Sequence, residues 1–248
     1  MSDPLFKVVD LTIGWDDMVV QKGATFEIER GSIFTILGSS GCGKSTLLRY
    51  LVGLETPLGG SIAIDGVAPD QAAPGRPLFG VMFQSGALLG SLTVGENVAL
   101  PLQEWSGLPP DAIGGIVVAK LRLVGLEHAE GRMPSELSGG MCKRAGIARA
   151  MALEPDLLFL DEPSAGLDPV SAVELDDLIL NLNQQLGLTF VVVTHDLESI
   201  FKISKSCIML DRESKSIIAR GDPRVLRDTS TDARVHSFFN RTAQEVKS

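Results

Sequence analysis

No run of apolar residues in this chain approaches the roughly 18 that a membrane-spanning helix needs, although apolar types make up 44% of the sequence. The chain is therefore expected not to cross a bilayer. Its first residues, M-S-D-P-L-F-K-V-V-D, lack the basic and then apolar order of a secretory signal, so a cytosolic protein is expected. Cysteine is scarce. Cys42, Cys142 and Cys207 are odd in number and have no metal-ligand spacing, which favours buried or neutral thiols in a reducing compartment. Positive charge is short as well: 22 Lys and Arg stand against 31 Asp and Glu, a net charge of −9, and nucleic acid is set aside as a default partner. The sequence has no internal repeat, low-complexity block or coiled-coil insertion. What 248 residues do suit is one large α/β domain, or one with a subdomain inserted.

The stretch that organises the rest is Gly38 to Ser45, G-S-S-G-C-G-K-S, which fits the phosphate-binding pattern G-x-x-x-x-G-K-S/T. An apolar run from Ile33 to Leu37 enters it as a buried strand would, and Ser45 to Leu54 leaves it with helical spacing. Strand, glycine loop and helix is the order a phosphate loop requires. Glycines at 38, 41 and 43 let the backbone turn its N–H groups inward, and the helix adds its positive N-terminal end. Lys44 then reaches the β- and γ-phosphates, and the Ser45 hydroxyl ligates Mg2+. The alternative, a Gly/Ser-rich turn that happens to precede a lysine, is disfavoured by that context. Cys42 lies inside the loop, so sensitivity to thiol reagents is a side expectation, and no catalytic role is assigned to it.

Upstream, Leu5 to Asp10 and Met18 to Ile28 read as strands of a hairpin-like piece, with Trp15 and its Gly and Asp neighbours as the turn. Trp15 is either a packing lid or a platform for a base. Downstream, Ser61 to Asp65 alternates apolar and polar residues, Gly66 to Pro77 is a proline- and glycine-rich loop, and Leu78 to Phe83 is a short strand. Gln84 follows directly, where an open α/β sheet places ligand-facing groups; on position alone, a solvent-facing loop glutamine is the safer reading. Between Thr93 and about Ala152 no β-rich run occurs. Asn97 to Leu102, Ala112 to Leu126 and Gly140 to Ala152 carry helical patterns, which predicts an inserted helical subdomain. Pro101, Pro109 and Pro110 punctuate it, and Gly114 with Gly115 weakens the second helix. Leu157 to Asp161 and Thr189 to Thr194 are apolar strands that lead into Glu162 and His195 respectively. Two short strands follow, Ser206 to Leu210 and Ser216 to Ala219, and then a polar, partly helical tail from Asp222 to Ser248.

Asp161 at a strand end suits the carboxylate that holds Mg2+, usually through water, and Glu162 beside it can polarise an attacking water. Phosphoryl transfer needs little else than a base, a metal and an aligned γ-phosphate. An Asp-Glu pair is also an ordinary helix cap with a first-turn acid; behind an apolar strand, in a chain with a phosphate loop, the catalytic reading is preferred. Leu137 to Met141, L-S-G-G-M, opens a helix. Ser138 is a good N-cap, and the same geometry presents its hydroxyl and the Gly139 and Gly140 N–H groups to an anion, as a second phosphate-facing turn. His195 is either a capping or packed side chain or a donor to a γ-phosphate oxygen.

In this order, Gly38 to Ser45, Gln84, Leu137 to Gly140, Leu157 to Glu162, Ser164 to Asp168 and His195 resemble the ATP-binding-cassette ATPases over nearly the whole chain. The resemblance implies an α/β P-loop NTPase fold. Its RecA-like core with an N-terminal antiparallel β subdomain would take residues 1–84 and 154–221, an inserted α-helical subdomain 85–153, and a tail 222–248. It further implies a Mg2+-dependent ATPase acting as a head-to-tail dimer, in which Ser138, Gly139 and Gly140 of one chain close on the ATP held by Lys44 of the other. Gly38, Ser39, Ser40, Gly41, Cys42, Gly43, Lys44, Ser45 and Thr46 then contact ATP, Trp15 matches the adenine-stacking aromatic, and Ser45, Gln84 and Asp161 serve Mg2+. Glu162 is implied as the catalytic base and His195 as the γ-phosphate switch. Gln84 becomes the sensor between Mg2+, water and a transmembrane permease.

A narrower resemblance rests on Phe83 to Leu102, F-Q-S-G-A-L-L-G-S-L-T-V-G-E-N-V-A-L-P-L, and on Pro134 to Arg149, P-S-E-L-S-G-G-M-C-K-R-A-G-I-A-R. These are similar to the ATPases of Mla-type phospholipid-trafficking transporters, which serve an MCE-domain lipid carrier in the envelope of double-membraned bacteria. Met141 departs from the glutamine usual in the general signature, yet methionine there is itself similar to the Mla-type pattern, and the Ser-Gly-Gly contacts remain. The implied setting is peripheral, on the cytoplasmic side of the inner membrane. An Mla-type permease would meet the 84–97 loop, with a STAS-domain protein and an MCE-domain protein as further partners. Asp232 to Phe239 resembles the family's C-terminal contact segment only loosely, and no residues are assigned to that contact.

Rival readings remain in view. Another ABC transporter class, such as small-solute import, differs in its permease and not in its ATP site. A soluble, non-transport cassette protein is opposed by the single cassette, the acidic charge and the missing coiled-coil insertion. A GTPase lacks its N-K-x-D stretch, and a P-loop kinase leaves the serine-glycine turn unexplained.

Overall fold

Residues 1–70 and 191–248 cluster as one unit of the chain and residues 71–190 as a second. The computed structural model describes residues 3–15, 18–71, 77–84 and 86–241. Parts of the expected 15–17 turn, 66–77 loop, 84–97 stretch and C-terminal tail lie outside the described residues, at 16–17, 72–76, 85 and 242–248.

In the first unit, β1 (Phe6–Trp15) and β2 (Met18–Ile28) pair antiparallel, as the hairpin reading expects. β1 runs past its expected end at Asp10. The register shifts between Val8 and Leu11, and Asp10 adopts φ 49°, a bulge that carries the strand through a polar residue. β3 (Ile33–Gly38) is buried along its whole length and delivers the chain to the glycine loop, after which α1 (Lys44–Leu51) begins. β4 (Gly59–Ile64) then returns to the far side of β1, giving the sheet order β2-β1-β4. Phe26 stacks between Phe6 and Phe34, at ring-centroid distances of 6.5 and 5.5 Å. Each such buried side chain contributes about 1.5–3 kcal/mol.

In the second unit, β5 (Gly80–Met82) lies parallel to the fully buried β6 (Leu157–Asp161). Between them come α2 (Val94–Trp105), α3 (Pro110–Leu123) and α4 (Gly139–Ala150), the three helices that the apolar patterns predict. A capping box starts α2: Glu96 N donates to Thr93 Oγ1 at 3.2 Å, and Thr93 N donates to Glu96 Oε2 at 2.7 Å. Pro101 sits inside α2 and does not end it. Burial of Val94, Val98, Ala99 and Leu102 on one face offsets the roughly 3 kcal/mol that an interior proline costs. Pro110 takes the first position of α3, where its fixed φ favours the helix and its missing N–H is no loss.

The 18-residue α5 (Pro169–Leu186) has no counterpart among the elements expected from the apolar patterns. Its signals are nevertheless local: Asp168 Oδ1 accepts from Val170 N and Ser171 N, each at 3.0 Å, Pro169 follows, and Gly187 closes the helix at φ 68°. The buried β7 (Thr189–Val193) spans the sequence boundary between the units.

The rest of the first unit begins with α6 (Leu197–Ile203), also unassigned from sequence and capped by Asp196, which accepts from Glu198 N at 3.1 Å. β8 (Ser206–Asp211) lies parallel to β3, and β9 (Ser216–Gly221) turns back antiparallel to β8. The tail forms α7 (Pro223–Thr229) and α8 (Ala233–Asn240). Although polar in composition, α8 buries Val235 and Phe239 in a cluster with Leu37, Leu197, Ile200, Cys207 and Met209. Arg234 ties its start, donating to Asp211 Oδ2 at 2.9 Å and Asp232 Oδ2 at 2.7 Å. The Arg234 hydrogen bond holds the Asp232 carboxyl down at about 2. Among the described residues no helix is long and apolar enough to cross a membrane.

Two substitutions test these local accounts. Gly114 is exposed on α3, with no atom within 4 Å of an added Cβ, so Gly114→Ala should raise the unfolding free energy by about 0.5–1 kcal/mol in urea titrations. Asp168→Ala should lower it by removing the cap, and Asp168→Asn should keep most of that cap.

Candidate nucleotide-binding site

The first unit holds the glycine loop, Trp15 and His195. Gly38, Gly41 and Gly43 all have positive φ, at 146°, 75° and 96°. Position 43 admits only glycine: an added Cβ would lie 2.5 Å from Val20 Cγ1 as well as being held in a left-handed conformation. Ser39, Ser40 and Gly41 are exposed, so their main chain can receive a ligand, while Cys42 beneath them is buried. Burial also pushes the Cys42 thiol above its ordinary pKa, which works against the expected sensitivity to thiol reagents.

The loop's carbonyls have their own donors. Lys44 Nζ donates to Gly38 O at 2.8 Å and Ser39 O at 3.1 Å, and Gln21 Nε2 donates to Cys42 O at 2.9 Å and Asp211 O at 3.0 Å. Gln21 is 0% exposed and underpins the loop, a role that its place in β2 does not announce. Lys44 thereby holds a positive charge across the loop at the N-terminal end of α1, with the exposed Ser45 hydroxyl and half-buried Thr46 following. An exposed glycine loop, a helix N-terminus, an ammonium and the exposed Ser45 hydroxyl form a donor set that fits a polyphosphate with its divalent cation.

Trp15 ends β1 and is 45% exposed. Its neighbour Gly14 is fixed to α1, because Tyr50 Oη donates to Gly14 O at 2.6 Å. The ring is thus partly exposed at the end of a strand whose backbone is anchored. His195 is exposed directly after β7, between two fixed points: Thr194 N donates to Ile36 O of β3 at 3.4 Å, and Asp196 N donates to Thr194 Oγ1 at 3.1 Å.

The second unit holds the remaining expected residues. Gln84 is exposed just past β5. Asp161 ends β6 as a buried carboxylate, and Glu162 follows at φ 47°, a left-handed conformation that costs a non-glycine residue of order 1–3 kcal/mol. Ser138 caps α4, its Oγ accepting from Met141 N at 3.3 Å. The Ser138 to Gly140 turn lies against the Ser164 to Asp168 segment and the start of α5: an added Cβ on Gly139 would stand 3.2 Å from Leu167 Cδ2, and one on Gly140 would stand 3.6 Å from Ser171 Cβ.

The pattern-based reading missed the groups that hold these turns. Lys143 is 5% exposed, and its ammonium donates to the main-chain oxygens of both Gln84 and Glu162, the latter at 3.1 Å. Burial lowers the pKa of that ammonium, against the opposing pull of the Asp161 and Glu162 carboxylates. Arg149, also on α4, donates to Gly86 O at 3.2 Å and Asn97 Oδ1 at 3.4 Å. The fully buried Asn97 donates in turn to the carbonyls of Leu89, Leu92 and Thr93 and accepts from Leu89 N at 2.8 Å. The one hint in the sequence is the run of small residues Ala145, Gly146 and Ala148 on α4, which marks a close approach. Gly146 and Gly86 do meet there, with Gly86 O 3.0 Å from an added Cβ on Gly146.

A sequence profile of the family described as "ABC transporter" matches residues 21–165. The chain is 40% identical over 244 residues to the intermembrane phospholipid transport system ATP-binding protein MlaF of Haemophilus influenzae, covering 96% of this chain and 91% of that one. It is 42% identical over 221 residues to the Escherichia coli protein of the same name, covering 87% and 81%. It is also 40% identical over 239 residues to the probable ribonucleotide transport ATP-binding protein mkl of Mycobacterium leprae, covering 94% of this chain and 68% of that one. Among solved structures, cbiO1 from Clostridium perfringens, part of the ABC transporter complex cbiONQ, superposes with a TM-score of 0.79 at 30% identity over 90% of each chain. The dimeric ATP-binding cassette MJ0796, in a post-hydrolysis state with ADP and Pi, gives 0.75 at 27% identity over 88% of this chain and 98% of that one. Its glycine loop, its α/β fold and these relatives agree that the chain belongs to the ABC transporter family, as one of its ATP-binding-cassette ATPases.

Proposed function

We propose that this ATPase powers phospholipid transport between the membranes of a bacterial envelope, seated peripherally on the cytoplasmic side of the inner membrane. The observation that carries the cargo is the likeness to MlaF across nearly the full length of both chains. The mkl relative, named for ribonucleotide transport, is equally identical but longer, and it keeps a small-solute transporter as the second reading.

In this reading the subdomains follow the expected division, with a core over 1–84 and 154–221, helices over 85–153 and a tail beyond. The loop N–H groups from Gly38 to Thr46 and the Lys44 ammonium bind the ATP phosphates, and Trp15 stacks on the adenine. Glu162 takes the proton of the attacking water, and His195 donates to the γ-phosphate. Ser45, Gln84 and Asp161 would hold Mg2+, which neutralises charge on the β- and γ-phosphate oxygens when bound. That one nucleotide engages both groups of residues is the part of the proposal carried by family membership. Two copies pair head to tail, each offering Ser138, Gly139 and Gly140 to the other's ATP. The 84–97 turn, kept in shape by Asn97 and Arg149, meets the permease. An MCE-domain protein and a STAS-domain protein complete the assembly.

Lys44→Ala removes a charge-assisted donor and should weaken ATP binding about 10- to 100-fold, read by titration with a fluorescent ATP analogue; an unchanged affinity sinks that role. Glu162→Gln should keep ATP bound and lose most turnover. The same variant, isolated from native membranes with ATP, should bring a permease, an MCE-domain protein and enriched phospholipid, identified by mass spectrometry. A permease of another class would keep the ATPase mechanism and overturn the cargo.

A further inference from the structure

α4 begins at the Ser138 to Gly140 turn, and Lys143 lies one helical turn further on, with its ammonium buried. Both hydrogen bonds of that ammonium go to main-chain oxygens, of Gln84 and Glu162, which stand 59 and 19 positions away in sequence. One cation therefore fixes the backbones of two residues assigned to hydrolysis, and it does so from the helix that presents the serine-glycine turn. Burying an ammonium is costly unless its donors are used, and an apolar side chain would fill the space at less cost if packing were its only task. The contact around it is close. An added Cβ on Gly86 would stand 2.9 Å from Cys142 O, and Arg149 holds Gly86 O from the same helix. A small displacement of α4 is then transmitted to the Gln84 turn and not absorbed between them. Glu162 meanwhile sits in a left-handed conformation that needs outside support, and its carbonyl is one of the two that Lys143 holds.

We propose that Lys143 is a positioning residue for ATP hydrolysis: it couples the Ser138–Gly140 turn to the backbones of Gln84 and Glu162, so that nucleotide engaged at the turn sets the hydrolytic groups of the same chain. The inference rests on the roles proposed above for those residues. It makes Lys143 act on turnover more than on nucleotide affinity, since it touches main chain beside the chemistry and no phosphate-loop residue among its hydrogen-bond partners.

The test uses the full chain with Lys143→Met, Lys143→Gln and Lys143→Arg, measuring kcat, KM for ATP, binding of a fluorescent ATP analogue and the thermal midpoint. Lys143→Met removes both charge-assisted contacts and should lower kcat by about 10-fold or more, with ATP affinity within about 2-fold of the parent. Lys143→Arg keeps the charge but not the shape of the head, and should recover more of the rate than Lys143→Met does. Combined with Ser138→Ala, Lys143→Met should cost less than the product of the two single effects, the mark of coupling along one path. If Lys143→Met does not fold, Lys143→Gln is judged by the same criteria. A kcat within about 2-fold of the parent, an equal loss of affinity and rate, or independent effects with Ser138→Ala would overturn the proposal. Glu162→Gln in the same assay separates the two levels. Full turnover there removes the reading of the site itself, whereas an inactive Glu162→Gln beside a fully active Lys143→Met removes only the coupling role.

Discussion

A loop that turns its main-chain N–H groups toward an anion turns carbonyls away from it, and each buried carbonyl then needs a donor of its own. Much of this chain is arranged to meet that requirement. Under the glycine loop the donors are Gln21 and Lys44, and Gln21 also bonds Asp211 at the end of β8, so the loop is joined to the strand beside its own. In the second unit Lys143, Arg149 and Asn97 do the same for the turns after β5 and β6. In each case a turn at the end of a strand is held from beneath by polar side chains that donate to its main-chain oxygens.

This arrangement explains what could be read in advance and what could not. The strands β3, β6 and β7 follow from continuous apolar runs, because they are buried along their whole length, and the three helices between β5 and β6 follow from apolar periodicity, because burial of one face imposes a repeat on residue types. The glycine loop was legible for a different reason: left-handed backbone and close approach restrict the residue choice, as Val20 does at Gly43. Gln21, Asn97 and Lys143 were not legible. A polar residue that serves a distant carbonyl obeys no periodicity, and the carbonyl it serves is present at every position, so neither partner leaves a pattern. In β2 Gln21 looks like any strand residue turned to solvent, yet it is fully buried.

The helices α5 and α6 were missed differently. Their start signals, Asp168 before Pro169 and Asp196 before Leu197, lie beside residues already claimed for phosphate chemistry, and the capping role is present all the same. The Asp168 carboxylate orders the first turn of α5, and that turn packs beside the Gly140 backbone. Pro101 and the bulge at Asp10 make the complementary point. Residues that end an element in isolation are carried through when the face they belong to is buried deeply enough.

The packing of α8 bears on the order in which the molecule is made. Val235 and Phe239 share one cluster with Leu37, the residue immediately before the glycine loop, and with Met209 of β8. At ribosomal rates of about 5–20 residues per second, the loop emerges roughly ten to forty seconds before the helix that seals the apolar face behind it. During that interval the strand entering the nucleotide site carries an uncovered hydrophobic surface. Premature termination near Thr231 would leave a chain that contains every phosphate-loop residue but lacks the helix that covers Leu37 and Met209, with that apolar face open to chaperones and proteases.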